Sequence, residues 1–498
     1  MIGFRRAAQL VCLLIFAVLL AAAGTGMAGT DLFLRIDPVL VGIAAIAGRV
    51  LLWAFLPALA VVISAVLFGR IFCGYICPMG TAIDLSDGCF ALQKRPSPPR
   101  AISPNFKLYV LAFLIGAAVA GISVVFWAAP LALITRLSGT VIYPVIRLVS
   151  DQALTAFYPI ADWLDVRSLM FLNIEVRRFA GQFFILFFFA AVFAAVRLSP
   201  RFWCRYLCPS GALLAICSKK PLVRRRVGPD CNQCGKCVRN CPMDAIDPQN
   251  PETARHDNCI VCKTCERICP EDAIDFSRQT GKRQTENAFF QPISLDRRRL
   301  LLSGIGGLGV AAVGMTGLRF VTGEKAEGEV RTPRLIRPPG ALPEAKFLAA
   351  CVRCSQCMTA CPTNTLQPVW FAAGALGMFS PAIVPRRKYC DPKCTACGDV
   401  CPTGAIQTVS PAQRTWVKTG TAVIYRQRCL AWEYKKSCMV CDEVCPYDAV
   451  NFEKKPDLPH PVPHVVEDKC AGCGYCEYYC PVGNDAAIVV TAMNAFRL

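Results

Sequence analysis

Charged residues are absent from five long runs of the chain. Ala7 to Thr30, Val50 to Gly69, Leu108 to Thr135, Phe179 to Val196 and Leu300 to Leu318 contain no Asp, Glu, Lys or Arg. A helix of about 20 apolar residues crosses the hydrocarbon core of a bilayer, so the pattern predicts about five transmembrane helices. The first run also resembles a secretory signal, with Arg5 and Arg6 as a charged start. Its 24 uncharged residues exceed the usual apolar region of such a signal, and a retained span is the expectation.

Loop charge sets the orientation, because Lys and Arg gather on the cytoplasmic side. Between the first two spans Asp31, Arg35, Asp37 and Arg49 cancel. Between the second and third, Arg70, Lys94, Arg95, Arg100 and Lys107 outweigh Asp84 and Asp87. This places the N-terminus inside, residues 136–178 outside, and the chain inside again after span four, where Arg201, Arg205, Lys219, Lys220 and Arg224 to Arg226 follow. Composition agrees. With 54% hydrophobic and only 18% charged residues the chain is neither disordered nor an ordinary soluble protein. Its net charge of +19 lies beside apolar runs without an aromatic–basic recognition element, which points to membrane orientation and not to nucleic acid.

Between residues 227 and 280, Cys231, Cys234, Cys237 and Cys241-Pro242 repeat as Cys259, Cys262, Cys265 and Cys269-Pro270, in C-x2-C-x2-C-x3-C-P spacing. Three close thiolates cap three corners of an iron–sulfur cubane and a remote cysteine supplies the fourth. The repeats are therefore expected to exchange last ligands: Cys231, Cys234, Cys237 with Cys269, and Cys259, Cys262, Cys265 with Cys241. Structural zinc takes similar cysteine pairs, but two triplets each followed by Cys-Pro favour two 4Fe-4S clusters.

Beyond a Pro-rich linker (Pro333, Pro338, Pro339, Pro343) come four more quartets: Cys351, Cys354, Cys357, Cys361; Cys390, Cys394, Cys397, Cys401; Cys429, Cys438, Cys441, Cys445; and Cys470, Cys473, Cys476, Cys480. Each last cysteine precedes Pro. The irregular middle pair reads as insertions in a doubled ferredoxin, with nested pairing of first with fourth and second with third. Six clusters are expected in all.

Of the seven remaining cysteines, four form another repeat, Phe72-Cys73-Gly74-Tyr75-Ile76-Cys77-Pro78 and Trp203-Cys204-Arg205-Tyr206-Leu207-Cys208-Pro209, each following a span. Cys73, Cys77, Cys204 and Cys208 are candidate ligands of a further iron–sulfur centre; redox-active disulfides and buried structural thiols are the alternatives, and Arg70 and Arg205 are expected to lower the thiol pKa values. Cys12, Cys89 and Cys217 read as small apolar fillers.

These motifs resemble the NapH/NosR-type membrane iron–sulfur proteins, whose hallmark is matched by Gly69 through Gly80 and Arg201 through Gly211 followed by the two-cluster ferredoxin. Residues from about 295 resemble the exported four-cluster NapG type, whose twin-arginine start is matched by Arg297 to Arg299. The resemblance implies a quinol dehydrogenase component of the inner membrane that passes electrons to a periplasmic cytochrome or respiratory reductase. NosR and CcoG relatives imply a different role, electron supply for metalloenzyme maturation. Here the two types are fused, and the fifth span is expected to stay as an uncleaved anchor.

The expected architecture is multi-domain: an α-helical membrane domain and α+β bacterial-type ferredoxin domains. A four-span domain occupies residues 1–225, a cytoplasmic two-cluster domain 226–285, the twin-arginine-like span 286–323, a linker 324–345 and a periplasmic four-cluster domain 346–498. Gly304, Gly306 and Gly309 fit G-x-G-x-x-G with Glu324 downstream, but a Pro- and charge-rich linker follows where a second strand would be needed, so a dinucleotide site is not expected. His256, His460 and His464 are the only histidines, none within a span, and C-x-x-C-H is absent, which argues against haem. They are expected at the surface or beside ligands. Asp244 and Asp272 are expected as turn residues. No motif marks the quinone site.

Overall fold

The computed structural model describes residues 3–49 (without 24, 26 and 28), 56–90, 103, 105–163, 174–278, 296–316 and 335–497 (without 484). Lys94, Arg95, Arg100, Glu324, Pro333 and most of the expected linker lie outside these residues. The chain forms two compact units. The first gathers Met1–Leu19, Asp31–Leu137 and Phe183–Val313; the second gathers Leu20–Thr30, Ser138–Gln182 and Gly314–Leu498.

The first unit is a set of apolar helices followed by a small ferredoxin module. Helices occupy Phe4–Ala21, Pro38–Gly48, Leu56–Phe68, Phe106–Val119, Gln182–Ala194 and Arg297–Thr316, so every expected span contains one. Most are shorter than expected. Among the described residues only Phe4–Ala21 and the combined Pro130–Pro159 segment are long and apolar enough to cross a membrane. At 1.5 Å per residue the 14-residue Phe106–Val119 helix is about 20 Å long, against a hydrocarbon core of about 30 Å. Its apolar run breaks at Gly121, where φ is +83°, and resumes as the Pro130–Leu137 helix.

An unexpected helix, Pro38–Gly48, lies between the first two spans. Asp37 starts it: Oδ1 accepts the N–H groups of Val39 (3.1 Å) and Leu40 (3.3 Å) and the Ser210 hydroxyl (2.7 Å). The fully buried carboxylate thus joins this helix to the first turn of Pro209–Cys217. After that helix, Val223–Val227 pairs antiparallel with Ile274–Arg278, in register from Val223↔Arg278 to Val227↔Ile274. This ribbon brackets the first two cysteine quartets.

The second unit holds the Tyr143–Trp163 helix and a chain of one-turn helices with three two-stranded antiparallel sheets: Leu366–Pro368 with Pro381–Ile383, Thr421–Ile424 with Ile488–Thr491, and Val450–Glu453 with Val462–Val465. Its core mixes Phe179, Ile336, Phe347, Met358, Ile406, Val450 and Ile488 with cysteines of the quartets.

The glycine-rich run lies inside one continuous helix, Arg297–Thr316. In the Arg297–Thr316 helix Gly307 and Ala311 are buried, while Ile305, Leu308, Gly309 and Val310 are exposed. A Cβ on Gly307 would collide with the backbone of Phe113 and Ala117, and one on Gly116 would collide with Gly304. Close backbone approach between two helices is what such small residues serve, especially where no water drives the association. Gly309, a fingerprint position, has open space around it. Gly307→Leu should therefore lower stability by about 1–3 kcal/mol through overpacking, whereas Gly309→Ala should be neutral or slightly stabilising. Thermal unfolding in detergent checks both, and equal midpoints for the two variants would contradict the packing role.

Candidate iron–sulfur sites

Four cavities of similar size have cysteine walls. One of about 310 Å³ is lined by Cys231, Cys234, Cys237 and Cys269. Others of about 330, 340 and 390 Å³ are lined by Cys361 with Cys390, Cys394 and Cys397; by Cys445 with Cys470, Cys473 and Cys476; and by Cys480 with Cys429, Cys438 and Cys441. The first of these is the expected exchange of last ligands. Its partner follows: burial, with Cys262, Cys241 and Cys265 adding to it, pushes the Cys259 thiol up to about 12, so those four sit together.

In the second unit the pairing differs from the nested one expected. Quartets pair with their sequence neighbours, first with second and third with fourth. Burial raises the Cys357 thiol, and Cys354, Cys351 and Cys401 add to it, which completes the exchange begun by Cys361. Local backbone pairing is the physical reason. The bridges Ile336↔Ile383 and Ala341↔Ile406 and the Leu366–Pro368/Pro381–Ile383 ribbon close around the first two quartets. The Thr421–Ile424/Ile488–Thr491 and Val450–Glu453/Val462–Val465 ribbons close around the last two. Insertions lengthen loops without changing which strands pair.

The donor sets fit a cluster better than one ion. Among the described residues no three His, Cys, Asp or Glu side chains converge closely enough to hold a single metal ion, yet four sulfurs ring each cavity. Backbone N–H groups point at the sulfurs: Ala245 to Cys241 at 3.3 Å, Ile406 to Cys401 at 3.4 Å, Ala449 to Cys445 at 3.3 Å and Ala487 to Cys480 at 3.4 Å. Such donors stabilise thiolate character and tune a bound cluster. Asp244 and Asp272 take left-handed conformations (φ 51° and 48°), in keeping with their expected turn role, and Asp448 does the same (φ 48°). His256 is half-buried, and burial, then Arg224 and Arg225, lower its pKa to about 4, so it is neutral near pH 7.

The remaining repeat converges as well. Phe72–Ile76 and Trp203–Leu207 are matching π-helical turns, and Cys77 and Cys208 leave them with nearly equal backbone angles (φ −64°, ψ 114° and φ −68°, ψ 112°) before starting the Pro78–Phe90 and Pro209–Cys217 helices. Burial followed by the Cys204, Cys73 and Cys77 thiols raises the pKa of Cys208, so all four thiols share one neighbourhood. The expected lowering by arginine is not found. Burial outweighs Arg201 at Cys204 and pushes that thiol to about 11. Arg205 turns away, to Ser199 Oγ (2.7 Å) and Asp244 Oδ2 (3.0 Å). Cys89 is exposed, unlike a filler.

Two fully buried arginines brace the site crosswise. Arg201, from the second repeat, donates to Cys73 O (3.2 Å) and grips Asp84 with Nε and Nη2, both at 2.6 Å. Arg70, from the first, has Nη2 4.0 Å from Cys73 Sγ and 2.6 Å from where a Cβ on Gly211 would stand. Asp84 also binds Arg5 and Gln9; burial works to raise its pKa, but Arg201 and Arg5 hold the carboxyl below its usual range. Sequence reading counted Asp84 only as loop charge, and its spacing gave no signal. The site packs on the ferredoxin module: Tyr75 Oη donates to Val261 O at 2.9 Å, Gly74 has no room for a Cβ beneath Ile260 O, and Lys107 Nζ donates to Asn258 Oδ1 at 2.6 Å.

The cysteine-rich segments are similar to known proteins. A model described as a 4Fe-4S binding domain matches residues 50–97 and 181–229, the two stretches that hold the CxxxCP turns. Models described as 4Fe-4S dicluster domains match residues 230–274 and 435–484. The methylamine utilization ferredoxin-type protein MauM of Methylorubrum extorquens is 37% identical over 211 residues, 40% of this chain and 91% of that protein. MauM of Paracoccus denitrificans is 35% identical over 223 residues, 43% of this chain and 91% of its own length. The ferredoxin-type protein NapG of Escherichia coli is 36% identical over 196 residues, 36% of this chain and 79% of its own length. With cysteine quartets lining similar cavities, and with the MauM relative matched over 91% and the NapG relative over 79% of their lengths, the chain belongs to the NapG/MauM family of ferredoxin-type iron–sulfur electron-transfer proteins.

Proposed function

We propose that the chain is a membrane-bound quinol-oxidising conduit that uses six 4Fe-4S clusters and delivers electrons to a respiratory reductase or cytochrome outside the cytoplasm. The observation that carries this reading is the seat of the CxxxCP thiols. Cys73, Cys77, Cys204 and Cys208 lie where two apolar helices end, the first turn rests on the loop that carries Cys259 and Cys262, and the second binds Asp244 beside Cys241. Bound clusters would supply one-electron storage. The chain's own residues do the rest: the quartets hold each cluster, Arg70, Arg201 and Asp84 fix the entrance, and Tyr75 and Lys107 keep it against the next set of ligands.

Loop charge supports the sidedness: the segments after the first and third apolar runs are mixed in charge, whereas those after the second and fourth are basic. The helix-packed glycine face of Arg297–Thr316 supports a retained anchor.

Three outcomes test the reading. Anaerobically purified protein should carry about 24 irons and as many sulfides, from six cubanes, with broad absorption near about 400 nm that bleaches when a quinol is added. Far less iron, stoichiometric zinc, or bleaching by dithionite but by no quinol would refute it. Cys73→Ser with Cys204→Ser should abolish quinol-driven bleaching while dithionite still acts; a lower iron count would add a centre at this site, and undiminished quinol oxidation would leave the four thiols a structural role. Replacing Arg297 and Arg298 by Lys should trap the C-terminal unit inside the cell, and normal digestion of that unit by external protease would contradict export through a twin-arginine route.

A further inference from the structure

The four quartets of the second unit are ordered. Cys390 donates its backbone N–H to Cys473 O at 2.8 Å, and Tyr389 stacks on Tyr475 with ring centroids 3.7 Å apart. The Cys361/Cys390/Cys394/Cys397 set therefore adjoins the Cys445/Cys470/Cys473/Cys476 set, and this contact is the junction between the two paired halves.

One side chain distinguishes the two neighbours. Arg414 closes a single helical turn, Pro411–Arg414, that a Ser410–Gln413 capping box initiates. It is 1% exposed. Its Nη2 donates to Cys390 Sγ at 3.2 Å and to Asp391 O at 3.1 Å, and its Nε donates to Cys394 O at 3.1 Å. The guanidinium is thus held by the ligand loop and delivers its charge to a ligand sulfur. On the other side of the junction Cys445 and Cys470 accept from the neutral backbone N–H groups of Ala449 and Ala422.

We propose that Arg414 is a redox-tuning residue that raises the reduction potential of the cluster held by Cys361, Cys390, Cys394 and Cys397 above that of its neighbour across the junction. Reduction adds one electron, with no bond made or broken, and makes the ligated cluster one unit more negative. A buried cation at the sulfur favours that form, and because the attraction falls with distance the cluster in direct contact gains more than its neighbour. An electron then rests on the near side of the junction, and crossing to the Cys445 set becomes the uphill step of the conduit. The inference rests on clusters occupying both quartets.

Redox titration followed by electron paramagnetic resonance on the full-length, cluster-loaded protein tests it. In Arg414→Gln one midpoint should fall by at least the 59 mV that corresponds to a tenfold change in a one-electron equilibrium, with iron content and the other midpoints unchanged. Arg414→Lys, which keeps the charge but not the fork, should show a smaller fall in the same midpoint. Full iron content with every midpoint unmoved in both variants overturns the proposal. Should Arg414→Gln lose iron, the titration of Arg414→Lys decides on the same criterion. Wild-type protein lacking iron in this unit would instead refute the cluster assignment itself.

Discussion

Like charge gathered at short range inside the protein is the constraint around which both units are built. At Cys259, Cys357 and Cys476 burial opposes ionisation of the thiol, and neighbouring sulfurs oppose it further. Four thiolates cannot share such a cavity unless positive charge sits among them. An iron–sulfur cluster provides it, so cluster insertion contributes directly to the stability of the fold. The sparse regular structure follows from this. Strands of three to five residues and helices of one turn cannot form a core alone. They need only present sulfur and backbone N–H to a common centre, with small apolar side chains such as Ala405, Ile406 and Val450 sealing the gaps.

Buried guanidinium groups provide the second layer of charge control. Arg70, Arg201, Arg337, Arg353 and Arg414 are the largest fully buried charged side chains, and they do different work. Arg201 is bound to Asp84 and braces two helix starts. Arg337 is fixed by Glu344, by Ser380 Oγ at 2.9 Å and by Pro381 O at 2.7 Å, tying the entry of the second unit to its first ribbon. Breaking one partner of such a pair strands the other charge, which is why these arginines specify geometry more than they add net stability. Arg414 instead donates to two carbonyls and the Cys390 sulfur, as Arg70 donates to the Asp257 carbonyl and approaches the Cys73 sulfur.

Much of this was legible in the sequence, for reasons of spacing. The C-x2-C-x2-C-x3-C-P repeats encode the exchange of Cys241 and Cys269, because three thiols one to two turns apart leave one corner open. The two CxxxCP strings encode matching turns, and the structure brings their thiols together. Nested pairing of the last four quartets failed because partner choice depends on which strands hydrogen-bond, as Thr421–Ile424 does with Ile488–Thr491. Apolar run length overestimated helix length, since a run such as Leu108 to Thr135 does not reveal the break after Val119. Asp37, Asp84 and Arg414 were invisible for another reason. Each is a single charged residue whose role at the site depends on a contact to a position more than twenty residues away, such as Asp37 with Ser210 and Arg414 with Cys390.

The first unit shows how apolar helices and a ferredoxin module become one body. Apolar surfaces slide on one another with little directional preference, so packing alone would not fix the CxxxCP turns against the cluster ligands. Polar bonds do: Lys107 to Asn258, Tyr75 to Val261 and Arg205 to Asp244 each run from a helix end or a CxxxCP turn to a residue within three positions of a cysteine ligand. Three directional bonds from separate segments determine both position and rotation of the module. Electron transfer depends steeply on separation, and a module fixed this way holds the spacing between the CxxxCP turns and the quartets without relying on the conformation of the linking chain.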